Sequence, residues 1–149
     1  MPLALAVLIA GFLLGTNADD TDAATTASIQ KLLDTQVADW NQRDLDAFCE
    51  GYWKSPKLVF QSGGSKNVGW ETMRNRYRTR YQGEGKEMGT LAFREVEIEP
   101  LDASSAFVRG RWELTMKDGK KLGGLYTLIL RKLPEGWRIV HDHTSAGEP

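Results

Sequence analysis

The sequence predicts an α+β domain in which three N-terminal helices are followed by a meander of long strands, a curved and mostly antiparallel sheet with the helices on one face. Three observations carry that prediction. Apolar residues recur at helical spacing as far as Tyr81, they change to alternation after Gly89, and the alternating runs are joined by short turn signals. A chain of 149 residues has room for one core and hardly two.

From Leu3 to Leu14 the chain reads LALAVLIAGFLL, an uncharged apolar run followed by Gly15, Thr16, Asn17 and Ala18. This has the form of a secretory h-region, with Thr16 and Ala18 as the small residues ahead of a cleavage point. Residues 1–18 are therefore expected to be a signal peptide and the protein to be secreted or periplasmic; a chain whose start is not cleaved would be cytoplasmic. The run is shorter than the roughly 20 residues of a spanning helix, so no permanent membrane span is expected.

Residues 19–27 are Asp, Thr and Ala without apolar periodicity, which predicts a flexible lead into a domain of residues 28–145, with 146–149 as a tail. Ile29, Leu32, Leu33, Val37 and Trp40 share one face of a first helix. Asp44 can cap a short second helix carrying Leu45, Phe48 and Tyr52, which Trp53 closes ahead of Ser55-Pro56. Lys57 to Gln61 is a β-type run and Ser62 to Ser65 a turn. Gly69 to Tyr81 returns to helical spacing, with Trp70, Met73, Tyr77 and Tyr81 on one stripe.

Leu91 and Phe93 alternate in one phase and Val96 and Ile98 in the other, which predicts a strand bent near Arg94-Glu95 and suits a curved sheet. Ala106 to Met116 alternates, with Val108, Trp112 and Leu114 opposite Arg109, Arg111 and Glu113. Asp118-Gly119 signals a hairpin into Leu122 to Lys132, and Pro134-Glu135-Gly136 turns into a last strand, Trp137 to Ser145.

Composition excludes several functions. Nineteen Lys and Arg against 20 Asp and Glu leave a net charge of −1, so there is no surplus of cations to grip nucleic acid. The single cysteine, Cys49, rules out an intrachain disulfide and reads as a buried, inert thiol. No Walker loop, GxGxxG, GxSxG or CxxC string occurs, which removes support for nucleotide, serine-hydrolase and thiol-redox chemistry.

The strings WNQRDLDAFCEGYW (Trp40 to Trp53), LVFQSGG (Leu58 to Gly64) and GWRIVHDHTS (Gly136 to Ser145), in this order of elements, resemble the nuclear transport factor 2-like superfamily, which includes SnoaL-like cyclases and ketosteroid isomerases. The last string is also similar to the end of the calcium/calmodulin-dependent protein kinase II association domain, with Thr144 where that family places a pocket arginine and an extra Ala146 before Gly147. The resemblance implies a cone-shaped fold with an apolar pocket at its open end. It further implies a homodimer through the convex sheet face, a small apolar or weakly anionic ligand, and no cofactor.

Within such a cone, Asp142 is the expected general acid or base, because a carboxylate among apolar groups gains proton affinity. Trp137 and Ile139 make the opposite face of that strand look the more apolar one, so its orientation stays open. Tyr126 is preferred among the tyrosines for stabilising an oxyanion. Tyr52, Trp53, Phe60, Trp70, Tyr77, Trp112, His143 and Thr144 are expected around the ligand. His141 and His143 supply two imidazoles, but spacing marks no third metal ligand, so no metal is expected. On the third helix, Arg74 and Arg80 border opposite sides of the aromatic stripe, with Arg76 and Arg78 turned further out. Two functions remain open: a dimeric module binding a small molecule, or a cofactor-independent isomerase, cyclase or dehydratase using Asp142.

Overall fold

In the computed structural model, which describes residues 18–147, the first helix α1 spans Ala18–Asn41 and so begins at Ala18 rather than at Ser28. Residues 19–27 are its first turns, not a flexible lead. The reason is local: Ala23, Ala24 and Ala27 are strong helix formers, and Asp19 and Asp20 in the first turn complement the helix dipole. The apolar run Leu3 to Leu14 and its expected cleavage region up to Asn17 lie outside the described residues. The stripe that α1 buries is Thr25, Ile29, Leu33, Gln36 and Trp40, with Leu32 and Val37 packed beside it.

Asp44 caps α2 (Leu45–Cys49) by accepting a hydrogen bond from the Ala47 N–H at 2.9 Å. This helix stops before Tyr52 because the chain is captured by the sheet. Ile139 N–H donates to the Gly51 carbonyl at 3.0 Å and Trp53 N–H donates to the Ile139 carbonyl at 2.9 Å. The bridge between Tyr52 and Ile139 turns the tyrosine into the core. α3 (Trp70–Tyr81) follows Gly69, whose φ of 97° is one that a side-chain-bearing residue rarely adopts.

Six strands follow the order β2 (Ser65–Val68), β1 (Val59–Ser62), β6 (Gly136–Thr144), β5 (Lys121–Leu133), β4 (Ser105–Thr115) and β3 (Thr90–Asp102) across one sheet. All neighbours are antiparallel except β1 and β6, which are parallel. Neither β2 nor the parallel pairing is visible in the sequence pattern. Asn41 ties α1 to the sheet by donating to the Leu91 carbonyl at 3.0 Å and accepting from the Leu91 N–H at 2.8 Å.

Two irregularities curve the sheet. In β3 the register shifts between Arg94 and Glu97, with Glu95 at φ 50°, where the change of phase predicts a bend. In β6 the partners of His141 and Ile139 are the consecutive residues Ile129 and Leu130, which leaves Val140 as the extra residue of a bulge. That bulge reverses the phase of the strand. Trp137 and Ile139 face inward ahead of it, and Asp142 faces inward after it. The three helices lie over the concave side, and no helix among the described residues is long and apolar enough to cross a membrane.

Candidate functional site

Between the helices and the hollow side of the sheet lies a cavity of about 90 Å³, open to solvent at one end. Its sheet wall comprises Leu91, Phe93, Trp112, Leu114, Tyr126, Leu128, Ile139, Asp142 and Thr144, together with Phe60 and Ser62 of β1. The helical side supplies Gln36, Trp40, Phe48, Tyr77 and Tyr81, with Tyr52 from the segment after α2 and Arg76 and Arg80 from α3. A dry cavity of about 150 Å³ accepts benzene, so this one seats a single small ring or less unless the ligand projects through the mouth.

The structure brings seven of the expected residues to this cavity: Tyr52, Phe60, Tyr77, Trp112, Tyr126, Asp142 and Thr144. Trp53, Trp70 and His143 are placed elsewhere. Trp70 opens α3 and donates its indole N–H to the Cys49 carbonyl at 3.0 Å, while Lys54 and Arg74 lie over its ring at 5.2 and 5.3 Å. Trp53 comes one residue after Tyr52 at the bridge to Ile139 and takes no part in the lining. His143 is exposed, because the residue after an inward Asp142 must point outward. His141 also lies on that outer side, and burial lowers its proton affinity. Among the described residues no group of three His, Cys, Asp or Glu is arranged to hold a metal ion. Cys49 is buried and lines no part of the cavity; burial pushes its thiol up to about 12.

Asp142 is 3% exposed and sits on the inner face of β6, flanked by Phe60 of β1 and Leu128 of β5. Both carboxyl oxygens are held. The Tyr52 hydroxyl donates to Oδ2 at 2.8 Å and the Thr144 hydroxyl donates to Oδ1 at 2.7 Å. Burial penalises the charged form and dominates, while those two hydrogen bonds and the His143 charge act the other way, so the carboxyl rests at about 6. Tyr77 lines the cavity beside this group, and burial raises both phenols, Tyr52 and Tyr77, well above their ordinary range.

Tyr126 faces the same cavity from β5. Its hydroxyl is buried and makes no hydrogen bond within the described residues. Burial, followed by the charge of Asp142, raises its proton affinity, so it remains a neutral donor at any physiological pH. Gly110 stands directly opposite on β4, where a Cβ would come within 2.6 Å of that hydroxyl, so glycine leaves the room the phenol occupies. A neutral O–H donor and a carboxyl near neutrality, facing one apolar hollow, can together polarise an oxygen and exchange a proton beside it.

The sequence pattern sets Arg80 beside the aromatic stripe but turns Arg76 further out, whereas both reach this cavity. Arg74 and Arg78 turn to the other flank of α3, where both bond Asp46. Arg76 and Arg80 border the mouth. Their four-residue separation is readable in the sequence, but the role of Asp46 in drawing off the other pair depends on how α2 packs against α3.

Three helices laid over a bent sheet, enclosing an open-ended hollow with one buried carboxyl, define the nuclear transport factor 2-like class of cone-shaped α+β proteins. Within that class the chain belongs to the SnoaL-like family, whose domain model matches residues 29–148. It is similar to a nuclear transport factor 2-like protein of unknown function from Shewanella oneidensis MR-1, at 35% identity, covering 81% of this chain and 98% of that one with a TM-score of 0.74. A ketosteroid isomerase-like protein from Erwinia carotovora atroseptica SCRI1043 shares 24% identity over 83% of this chain and 96% of its own, with a TM-score of 0.65. A calcium/calmodulin-dependent protein kinase II association domain-like protein from Xanthomonas campestris shares 20% identity over 89% and 93% of the two chains, with a TM-score of 0.63. These last two likenesses concern the fold alone. No curated protein matches the chain.

Proposed function

We propose that the cone binds a compact, mostly apolar molecule carrying a carbonyl-type oxygen, and that Asp142 exchanges a proton with it while Tyr126 holds that oxygen. One observation carries this reading. A buried carboxyl near neutrality and a buried hydroxyl with no hydrogen-bond partner in the described residues face the same apolar cavity. A base is most useful when its pKa lies near the working pH, and a donor already in place costs no reorganisation as charge develops. Isomerisation, cyclisation and dehydration all need this pair of roles. In isomerisation and α-hydrogen exchange the step moves only a proton, from a carbon beside the carbonyl to Asp142 and back; in dehydration Asp142 passes that proton to the departing β-hydroxyl, which leaves as water.

A second reading, a module that binds without turnover, is favoured by the clamp on Asp142. Tyr52 and Thr144 engage both of its oxygens, an arrangement that also suits fixed recognition of a ligand donor. Hydrogen–deuterium exchange separates the two. Small cyclic ketones and enones incubated with the protein in D₂O are expected to exchange their α-hydrogens, and Asp142→Asn to slow that exchange by about 10²-fold or more. Binding of the same ketones without exchange points to the module. Absence of binding contradicts the cone as a ligand site.

Leu125 and Ile129 on the outer face of β5, 54% and 40% exposed, support self-association through that face. The Leu3 to Leu14 run supports export.

A further inference from the structure

The third helix carries four arginines in two pairs, and each pair is spaced i, i+4 on one flank. Arg74 and Arg78 close on a shared carboxylate. Arg74 Nε donates to Asp46 Oδ1 at 2.8 Å, and Arg78 Nη2 donates to Oδ1 and Oδ2 at 2.9 and 2.7 Å. Arg76 and Arg80 repeat that spacing on the other flank, at the mouth of the cavity. Among the described residues no carboxylate lies within ion-pair distance of either.

Two cations one helical turn apart repel each other, and an anion between them removes that cost. The guanidinium of Arg80 lies over the Tyr81 ring at 5.5 Å, and Arg76, Arg80 and Tyr81 together line the cavity, so the two cations share one side of it. A planar guanidinium matches a carboxylate with two parallel hydrogen bonds, which Lys cannot do. The interior is too small for a large body but lined by rings and aliphatic chains.

We infer that the ligand of this cone is a small carboxylic acid, its carboxylate seated between Arg76 and Arg80 as Asp46 is seated between Arg74 and Arg78, and its apolar body turned inward toward Asp142 and Tyr126. This rests on the cone being the ligand site. It adds that the two ends of the molecule are read differently, with charge at the mouth and proton exchange at depth.

Matched acids and amides test it: butyrate, cyclohexanecarboxylate and benzoate, each against its own amide, titrated while following the Trp112 indole N–H by NMR. At low ionic strength the acid of at least one pair is expected to bind about tenfold more tightly than its amide. In the variant carrying Arg76→Gln and Arg80→Gln the preference is expected to fall to about twofold, with the affinity for the amide unchanged. Lys57→Gln, which removes an exposed charge away from the cavity, keeps the full preference. The unmodified protein provides a check that needs no variant, since raising the salt from about 20 mM to about 0.5 M shrinks an ionic preference and leaves amide binding alone. Amides that bind as well as their acids, or a preference that survives the double substitution, overturn the carboxylate assignment and leave the cone intact as a site. Failure of every acid and every amide to shift Trp112 overturns both.

Discussion

Asp142→Asn is expected to stabilise the fold above pH 6 while slowing proton exchange by about 10²-fold or more. The carboxyl rises from an ordinary 3.8 to about 6 on folding, chiefly because it is buried. A folded-state pKa above the unfolded one means that the folded protein holds this proton more tightly. Below the unfolded value both states are protonated and Asp142 costs nothing. As pH climbs from about 4 to about 6 the unfolded chain ionises first, so stability drains away through that window and levels off above it. A displacement of about two units corresponds to roughly 3 kcal/mol. Asparagine carries no charge to desolvate, yet keeps a carbonyl acceptor for only one of the two donors, Tyr52 and Thr144. The net gain is expected at about 1–2 kcal/mol near pH 7.5, turning into a loss of about 1 kcal/mol at pH 4, where the carboxyl costs the parent little and only the missing hydrogen bond counts. Urea unfolding of both proteins at the two pH values measures it. A variant less stable than the parent at pH 7.5 would show that the folded state prefers the ionised carboxylate.

Tyr126→Phe is expected to behave in the same direction for a different reason. A buried hydroxyl with no partner among the described residues costs the fold about 1–3 kcal/mol, because water solvates it in the unfolded chain and none of those residues bonds it in the core. Phenylalanine preserves the ring contact with Phe93, whose centroid lies 5.1 Å away, and removes the polar atom. Thermal unfolding should report a gain of about 1 kcal/mol, reduced from the full figure by the small void left over Gly110. Exchange of ketone α-hydrogens should fall by about 10²-fold, as for loss of one oxyanion donor. A gain in stability paired with a loss of chemistry is the mark of a group kept for its ligand rather than for its fold. Should Tyr126→Phe cost stability, the hydroxyl already has a bonding role in the folded protein and is not held ready for a substrate.

Much of the architecture is legible because it rests on local patterns. The helix of Gly69 to Tyr81, the bend at Arg94-Glu95 and the hairpin at Asp118-Gly119 each announce themselves through spacing or turn chemistry within a few residues. What the pattern misses depends on contacts between distant segments. The first turns of α1 bury little apart from Thr25, so apolar periodicity does not reveal them, although their alanines do favour a helix. β2 is short and polar and exists only as the partner of β1. The bulge at Val140 is the instructive case. Strict alternation sets Asp142 against Trp137 and Ile139, and a single extra residue allows all three to face the core. Trp53 and Trp70 look like lining because they are large and aromatic, yet one follows the sheet bridge and the other caps a helix junction. The arginines separate into a neutralised pair and an open pair only once Asp46 is placed against α3.

Proton exchange in this cone depends on a desolvated carboxyl facing the hollow of the sheet. The most direct test is a pH titration of the Asp142 side-chain carboxyl by ¹³C NMR in the folded, ligand-free protein. A midpoint near 6 is the expected result. A midpoint at or below the ordinary value of about 3.9 would show that the group is solvated or neutralised by a cation, and no longer a proton carrier suited to neutral pH.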